Sequence, residues 1–266
     1  MCQYTDWQTF SNNLIRYSKP ELWLDLSLMD LPEDLIKTRE KCIDKSLDEV
    51  KKIEAGVKVN TDEDIEAGGR QVGHYWLRNP ELAPNEIGVS IQRKIAEVKA
   101  FASGIHKGEI LNPSGEKFTD LLLIGIGGSA LGPQLAVDAL TDHTAPMKIH
   151  YFDNTDPDGM DRILDEIGGE IGKTLTLVIS KSGGTKETRN GMLEAKAAYE
   201  NKGLEFGKHA IAVTGKNSQL DHYATQHDWI GIFPMEDWVG GRTSITSVVG
   251  LLPMALMGIN IDEFLE

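Results

Sequence analysis

Residues 121–133, LLLIGIGGSALGP, decide the fold that we predict for this chain. The first six residues are almost all apolar and are bounded by turn-forming residues, which is typical of a buried strand in a parallel sheet. The glycines within residues 125–128 allow a sharp turn and the close approach of a ligand. We expect Ser129 to cap the following helix, with Pro133 in its first turns. A strand, a glycine turn and a helix start together predict an anion site, and phosphate is the natural occupant.

The pattern continues outward from this stretch. From Thr119 onward, apolar runs alternate with helical stretches at regular spacing, which indicates βαβ units. Strands are predicted at Leu121–Ile126, Lys148–Phe152, Leu175–Ser180, His209–Val213 and Trp229–Phe233. Helices are predicted near residues 130–141, 157–167, 186–201, 217–226 and 244–257. We therefore predict an α/β fold with a doubly wound, five-stranded parallel sheet, whose ligands bind beyond the carboxyl ends of the strands.

The chain before the sheet is predicted to be mostly helical. We expect residues 1–110 to pack as a helical region on a sheet domain of residues 111–266. Apolar spacing predicts one helix over Leu31–Ala55, which Gly56 can stop, and a second helix over Glu86–Ile105.

An aromatic cluster, HYWLRNP at residues 74–80, lies between these two helices. We interpret His74 and Trp76 as residues that pack against the rest of the protein, because residues of these types are more often packed than catalytic. We expect Arg78 to form a surface ion pair.

The composition is that of an ordinary soluble globular protein, with 266 residues, 40% hydrophobic and 26% charged. A net charge of -14 argues against nucleic acid or an anionic membrane as a partner. Two cysteines, Cys2 and Cys42, indicate neither a disulfide framework nor a metal cluster. Because no signal peptide or membrane-length apolar stretch is visible, we expect a cytoplasmic location.

A second glycine loop, SKSGGTKET at residues 180–188, again joins a buried strand to a helix. Ser180, Ser182 and Thr185 offer three hydroxyls in six residues, and Lys181 adds a cation. The two glycines allow a concave run of N–H donors, which together with hydroxyls suits the oxygens of a phosphate monoester. A hydroxyl-rich turn alone is usually a helix cap, but this density of donors after a parallel strand favours a ligand loop.

A third loop, DWVGGRTS at residues 237–244, follows the last predicted strand. Two glycines before Arg242 hold the backbone close to another group and aim one guanidinium. The structural alternative is an ion pair with Asp237 or Glu236. We predict that Arg242 stabilises negative charge on a substrate or intermediate. Glu187 is interpreted as structural, because a carboxylate in the first turn of a helix suits the helix dipole.

A dinucleotide site is the rival interpretation. Gly125, Gly127 and Ala130 fit the GxGxxG/A pattern, and Asp153 would serve as the ribose-binding acid. The second phosphate-type loop argues against this, since a dinucleotide pyrophosphate is normally held at the first turn.

Four stretches together resemble the glucose-6-phosphate isomerase family, whose core consists of sugar-isomerase (SIS) domains with a flavodoxin-like sheet. The stretches are LLLIGIGGSALGP, ISKSGGTKETRNG, DWVGGRTSITSVVGLLP and, in the N-terminal part, VGHYWLRNPELAP. The resemblance runs from about residue 7 to the end. Thr243 and residues 182–184 depart from the common family pattern, and we interpret both as subfamily variation.

The resemblance implies reversible isomerisation of glucose 6-phosphate and fructose 6-phosphate through an enediolate, a step of glycolysis and gluconeogenesis. It implies substrate contacts at Gly128 and Ser129, and 6-phosphate ligands at Ser180, Lys181, Ser182 and Thr185. Arg242 would face the reacting C1–C2 end of the sugar. The family needs no cofactor or metal and is typically a homodimer.

Family members are up to about twice as long as this chain, and their catalytic glutamate, ring-opening histidine and C-terminal lysine lie beyond residue 266. We therefore expect a truncated chain that carries the phosphate half-site and an incomplete proton-transfer apparatus. The alternatives are a non-catalytic SIS-type sugar-phosphate sensor and a nucleotide-dependent oxidoreductase.

Overall fold

A computed structural model describes residues 6–29, 31–32, 34–59 and 69–266, without the side chain of Ile36. Cys2 lies outside the described residues. Contacts divide the chain into two compact units, Met1–Val50 and Lys51–Glu266. The domain boundary that we predict near residue 110 stays a prediction.

The first unit contains a short helix and a hairpin. Helix α1 (Trp7–Asn12) is capped by Asp6, whose carboxylate accepts a hydrogen bond from the Thr9 N–H. Strands β1 (Leu14–Ser18) and β2 (Glu21–Asp25) pair antiparallel, and helix α2 (Leu35–Glu54) follows them. The hairpin is absent from the sequence prediction, because nearly all of its side chains are exposed and show no clean alternation of apolar and polar residues.

The second unit is built on a parallel sheet of five strands within residues 69–266. Its strands are β3 (Asp120–Ile124), β4 (Lys148–Phe152), β5 (Thr174–Ser180), β6 (Ala210–Gly215) and β7 (Gly231–Met235). All neighbours pair in parallel, in the spatial order β4-β3-β5-β6-β7. The prediction of a five-stranded parallel sheet is confirmed, and each strand lies within two residues of its predicted ends.

Helices cover both faces of this sheet. They are α3 (Asn85–Lys107), α4 (Leu131–Leu140), α5 (Pro157–Ile167), α6 (Lys186–Asn201), α7 (Gln219–Gln226), α8 (Val248–Leu256) and α9 (Ile261–Leu265). Leu121 and Leu123 point into a core shared with α3, α4 and α8. Leu122 and Ile124 point into a second core shared with α5, α6 and α7. The sheet is therefore doubly wound, and no helix in the described part of the chain is long and apolar enough to cross a bilayer.

The strand order places a crevice in the sheet. If the five strands are numbered 1 to 5 along the chain, their spatial order across the sheet is 2-1-3-4-5. The direction of winding therefore reverses between the neighbouring strands β3 and β5. The loops that follow these two strands leave the sheet on opposite sides, and open α/β sheets bind ligands in the crevice that results. The first glycine loop of the sequence, residues 125–129, follows β3, and the second, residues 180–188, follows β5.

The aromatic stretch at residues 74–77 forms a 3-10 turn and packs as predicted. Trp76 is fully buried, donates its indole N–H to Glu54 O at 2.9 Å, and meets Trp238 edge to face. Contrary to the expected ion pair, Arg78 pairs with no carboxylate side chain among the described residues. Its guanidinium instead donates to the main-chain oxygens of Leu265 and Glu266.

We expect removal of the hydroxyl group to affect protein stability differently at two tyrosines, Tyr199 and Tyr151. The Tyr199 hydroxyl is buried, donates to Thr174 O at 2.7 Å and lies 3.0 Å from the Thr176 hydroxyl. The Tyr151 hydroxyl is buried without a hydrogen bond in the described residues. We expect Tyr199→Phe to lower the free energy of unfolding by about 1–2 kcal/mol, because it leaves one buried acceptor, Thr174 O, and one buried donor, the Thr176 hydroxyl, without this partner. Tyr151→Phe is the matched control and should be neutral or stabilising, as urea denaturation of both variants would show.

Candidate functional site

A cleft of about 730 Å³ opens at the carboxyl edge of the sheet. This volume lies within the range of small-molecule sites in proteins. The loops after β3, β5, β6 and β7 build its wall. The lining residues are Arg70, Ile126, Gly128, Ser129, Ile179, Ser180, Lys181, Ser182, Thr185, Thr188, Gly215, Lys216, Asn217, Ser218, Met235, Glu236, Asp237, Gly241 and Ser244.

The first loop forms a 3-10 turn over Gly127–Ser129. A Cβ on Gly128 would lie 2.3 Å from Gly241 O, so the first and third loops touch backbone to backbone. The expectation that Ser129 caps α4 is wrong: Ala130 occupies the cap position, and no side chain caps the helix. The Ser129 hydroxyl lines the cleft instead, without a hydrogen bond to the described residues.

The second loop places three hydroxyl residues in the cleft wall just before α6. The Ser180 hydroxyl accepts from the Gly183 N–H at 3.2 Å and donates to the Thr185 hydroxyl at 3.3 Å. The Ser182 hydroxyl accepts from the Gly184 N–H at 3.1 Å. Thr185 occupies the cap position of α6 but makes no side-chain cap bond. Ser180, Ser182 and Thr185 therefore line the cleft beside the start of α6, where the helix dipole favours an anion.

Gly183 explains why this loop can turn so tightly. Its φ is +69°, in the left-handed region that favours glycine. A Cβ there would also lie 2.2 Å from the Leu220 main-chain nitrogen. The second loop is thus held directly against the start of α7.

Lys181 lies in the wall of the cleft, but its ammonium is occupied. It donates to Asp237 O at 2.6 Å and Val239 O at 3.0 Å, and lies 3.4 Å from a carboxylate oxygen of Asp237. Burial lowers the pKa of Lys181, whereas the nearby Asp237 acts to raise it.

Arg242 lies beside the cleft rather than in its wall. It sits in a 3-10 turn over Gly241–Thr243, between the lining residues Gly241 and Ser244. Its side chain is exposed and pairs with neither Asp237 nor Glu236. Glu236 pairs with Lys94, and Asp237 faces Lys181 and Arg70. The structure thus brings six of the seven predicted site residues into the cleft wall.

The sequence interpretation missed two parts of the cleft. The first is the loop after β6, Gly215–Ser218, which could have been found because it follows a parallel strand as the other loops do. The second is Arg70, whose Nε lies 3.7 Å from Asp237 Oδ2. Arg70 follows a glycine in a polar stretch and carries no sequence signal for this position.

The dinucleotide interpretation gains no support at Asp153. One of its carboxylate oxygens accepts from Gln134 at 2.8 Å and the other from Asn154 at 2.8 Å, and Asp153 is not in the cleft wall. Glu187 is half-buried in the first turn of α6, also outside the wall. Among the described residues, no group of three or more His, Cys, Asp or Glu side chains is placed to hold a metal ion.

Fold and cleft together define a class of protein. It is the class of doubly wound α/β proteins that present hydroxyls, main-chain N–H groups and cations in a crevice at the carboxyl edge of a parallel sheet. Within that class, the chain belongs to the phosphoglucose isomerase family, which it matches over residues 29–266.

Two curated relatives within this family are similar to the chain over nearly its whole length. It is 51% identical over 260 residues to a glucose-6-phosphate isomerase of Citrifermentans bemidjiense, covering 97% of this chain and 48% of the relative. It is 51% identical over 261 residues to a glucose-6-phosphate isomerase of Geotalea daltonii, covering 98% and 48%. The chain therefore spans about half the length of the curated relatives it matches.

A solved structure shows the same fold. The crystal structure of a glucose-6-phosphate isomerase from Chlamydia trachomatis matches with a TM-score of 0.79 and 23% sequence identity. The match covers 98% of this chain and 49% of that one. At this identity the likeness concerns the fold, which confirms the predicted architecture.

Proposed function

We propose that this cleft binds hexose 6-phosphates and takes part in the interconversion of glucose 6-phosphate and fructose 6-phosphate. The observation that carries the proposal is that Ser180, Ser182 and Thr185, from the loop before α6, all line the cleft, with the Ser180 and Thr185 hydroxyls 3.3 Å apart. Donors of this kind match the three oxygens of a phosphate monoester. The relatives of this family that the chain resembles at 51% identity carry the name of that isomerase.

The proposal orients the sugar across the cleft. With the phosphate at the second loop, the sugar body extends over Gly128 and Ser129 toward the third loop. The turn that carries Arg242 lies there, between two residues of the cleft wall. We propose that its exposed guanidinium turns toward the substrate and stabilises the negative charge of an enediolate.

Proton transfer needs a carboxylate or another base near the reacting carbons. Glu236 and Asp237 line the cleft, but each is paired with cations. We therefore offer neither as the base, and for this chain the proposal covers phosphate binding and charge stabilisation. The homodimer and the glycolytic role that the resemblance implies stay predictions, as does the cytoplasmic location expected from the sequence pattern.

Removing one hydroxyl from the second loop tests the phosphate site. We expect Thr185→Val, which keeps the side-chain shape, to weaken binding of fructose 6-phosphate about tenfold, because a hydrogen bond to a charged group is lost. Isothermal titration calorimetry of the purified chain at millimolar ligand measures this. The control is Thr225→Val, at an exposed position near the end of α7. Absence of heat with the unaltered chain, or equal affinity in Thr185→Val, would refute the proposal.

A further inference from the structure

We propose that Lys181 is a positioning residue that holds the Arg242 loop in place, instead of making the phosphate contact that the resemblance implies. The inference concerns the site of the proposed function and rests on it. Lys181 would thus help to position the loop at the sugar end of the cleft, although Lys181 itself belongs to the loop that we assign to phosphate.

The contacts of the ammonium carry this inference. A lysine ammonium has three N–H donors. Two are directed at the main-chain oxygens of Asp237 and Val239, at 2.6 and 3.0 Å. A carboxylate oxygen of Asp237 lies 3.4 Å away and faces the same charge. Three acceptors from the third loop therefore surround the ammonium, and a phosphate oxygen would have to displace one of them.

The position of Lys181 explains why one side chain can link several loops. Its own main-chain oxygen accepts from the Gly215 N–H at 2.9 Å, which anchors the second loop to the end of β6. Its side chain then reaches the third loop at Val239, which is almost fully buried. Burial lowers the pKa of Lys181, in keeping with an ammonium that has exchanged water for these oxygens.

Arg242 depends on this link because Lys181 donates two hydrogen bonds to the half of the loop that precedes it. Gly240 and Gly241 separate Arg242 from Val239 and have no side chains with which to hold the loop. The loop is also held by the Gly73 N–H, which donates to Trp238 O at 3.2 Å, and by the ring contact of Trp238 with Trp76. After the two glycines, the Ser244 hydroxyl lies 3.2 Å from Gly128 O. Without the Lys181 hydrogen bonds, the main-chain oxygens of Asp237 and Val239 would lose this partner just before the two glycines, and the reach of Arg242 toward the sugar would vary.

The first test needs no ligand. We expect Lys181→Met to speed hydrogen exchange in residues 237–243 about tenfold, because local opening becomes easier when the hydrogen bonds are lost. Amides of Val239 and Thr243 are suitable reporters, since they donate to Glu236 O and Gly240 O. The control with the same loss of charge is Lys208→Met, at an exposed position before β6. Unchanged exchange in Lys181→Met would overturn the proposal, whatever the chain binds.

The second test separates positioning from phosphate contact. Inorganic phosphate reaches only the second loop, whereas fructose 6-phosphate also reaches the third. For Lys181→Met we expect the affinity for phosphate to stay within about threefold and the affinity for fructose 6-phosphate to fall about tenfold, as for a lost charge-assisted interaction. A parallel loss for both ligands would identify Lys181 as a phosphate ligand and overturn the proposal. If the unaltered chain binds neither ligand, the proposed function fails, and hydrogen exchange still decides the role of Lys181.

Two further variants identify the route of the effect. Arg242→Ala should reproduce the ligand pattern of Lys181→Met, and the double variant should be no weaker than either single one, because both losses act on one interaction. Additive losses would contradict a role through Arg242. Lys181→Arg should restore part of the fructose 6-phosphate affinity, since a guanidinium can donate to the same oxygens. Failure of rescue together with additive losses would leave Lys181 without a positioning role.

Discussion

A Gly128→Ala variant is expected to lose most of its affinity for fructose 6-phosphate and about 1–3 kcal/mol of stability, the usual penalty for overpacking. The added Cβ would lie 2.3 Å from Gly241 O and 2.5 Å from Gly241 C, which are main-chain atoms and cannot rotate away. The first and third loops must therefore separate. Calorimetry with fructose 6-phosphate and thermal unfolding of the same preparation measure the two losses.

The control for this variant is Gly169→Ala. A Cβ at Gly169, in the 3-10 turn before β5, would meet no described atom within 4 Å. Gly169→Ala should therefore match the unaltered chain in both measurements. If Gly128→Ala also matches it, the two loops do not touch as the structure shows, and the geometry proposed for the sugar end of the cleft is wrong.

An Asp120→Ala variant is expected to lower the free energy of unfolding by about 3 kcal/mol, because it removes one partner of a buried pair. His150 Nε2 lies 3.0 Å from Asp120 Oδ1, and the side chains are 2% and 11% exposed. The other carboxylate oxygen accepts from the Thr119 hydroxyl at 2.8 Å. Loss of the carboxylate leaves a buried imidazole and a hydroxyl without this partner. Urea denaturation monitored by circular dichroism measures the change.

The matched comparison is an exposed pair. Arg93 and Glu97 lie one helical turn apart on α3, with Nε and Oε1 at 3.5 Å and side chains 70% and 50% exposed. Solvent screens such a pair, so Arg93→Met should change the free energy of unfolding by less than about 1 kcal/mol. Equal effects of Asp120→Ala and Arg93→Met would mean that burial does not set the strength of the His150–Asp120 interaction.

The Asp120 pair also lies far from the proposed chemistry along the strands. Asp120 is the first residue of β3, whereas the first glycine loop follows the last residue of that strand. We therefore expect folded Asp120→Ala at low temperature to bind fructose 6-phosphate as the unaltered chain does. The residue at the start of β3 would then affect stability alone, whereas the loop after the end of β3 would affect ligand binding.

The sequence by itself determined the sheet and the edge of the sheet at which the cleft opens. Residues 121–124 and the later apolar runs must be buried on both faces, as the strands of a parallel sheet covered by helices are. Glycine and hydroxyl residues after β3 and β5 then predict donors at the carboxyl edge, and the structure places Ser180 and Thr185 there. These inferences succeed because burial periodicity and turn chemistry are local properties of the chain.

Only the tertiary structure decided what the charged side chains contact. Lys181 was expected at a phosphate, but its partners are main-chain oxygens 56 and 58 residues later in the chain. Arg78 likewise donates to Leu265 O, 187 residues away, instead of forming an ion pair. A long, flexible side chain takes whichever acceptors the fold brings within reach, and main-chain oxygens are present at every residue type. Residue identity therefore carries little information about such a contact, and only the packing of the loops determines it.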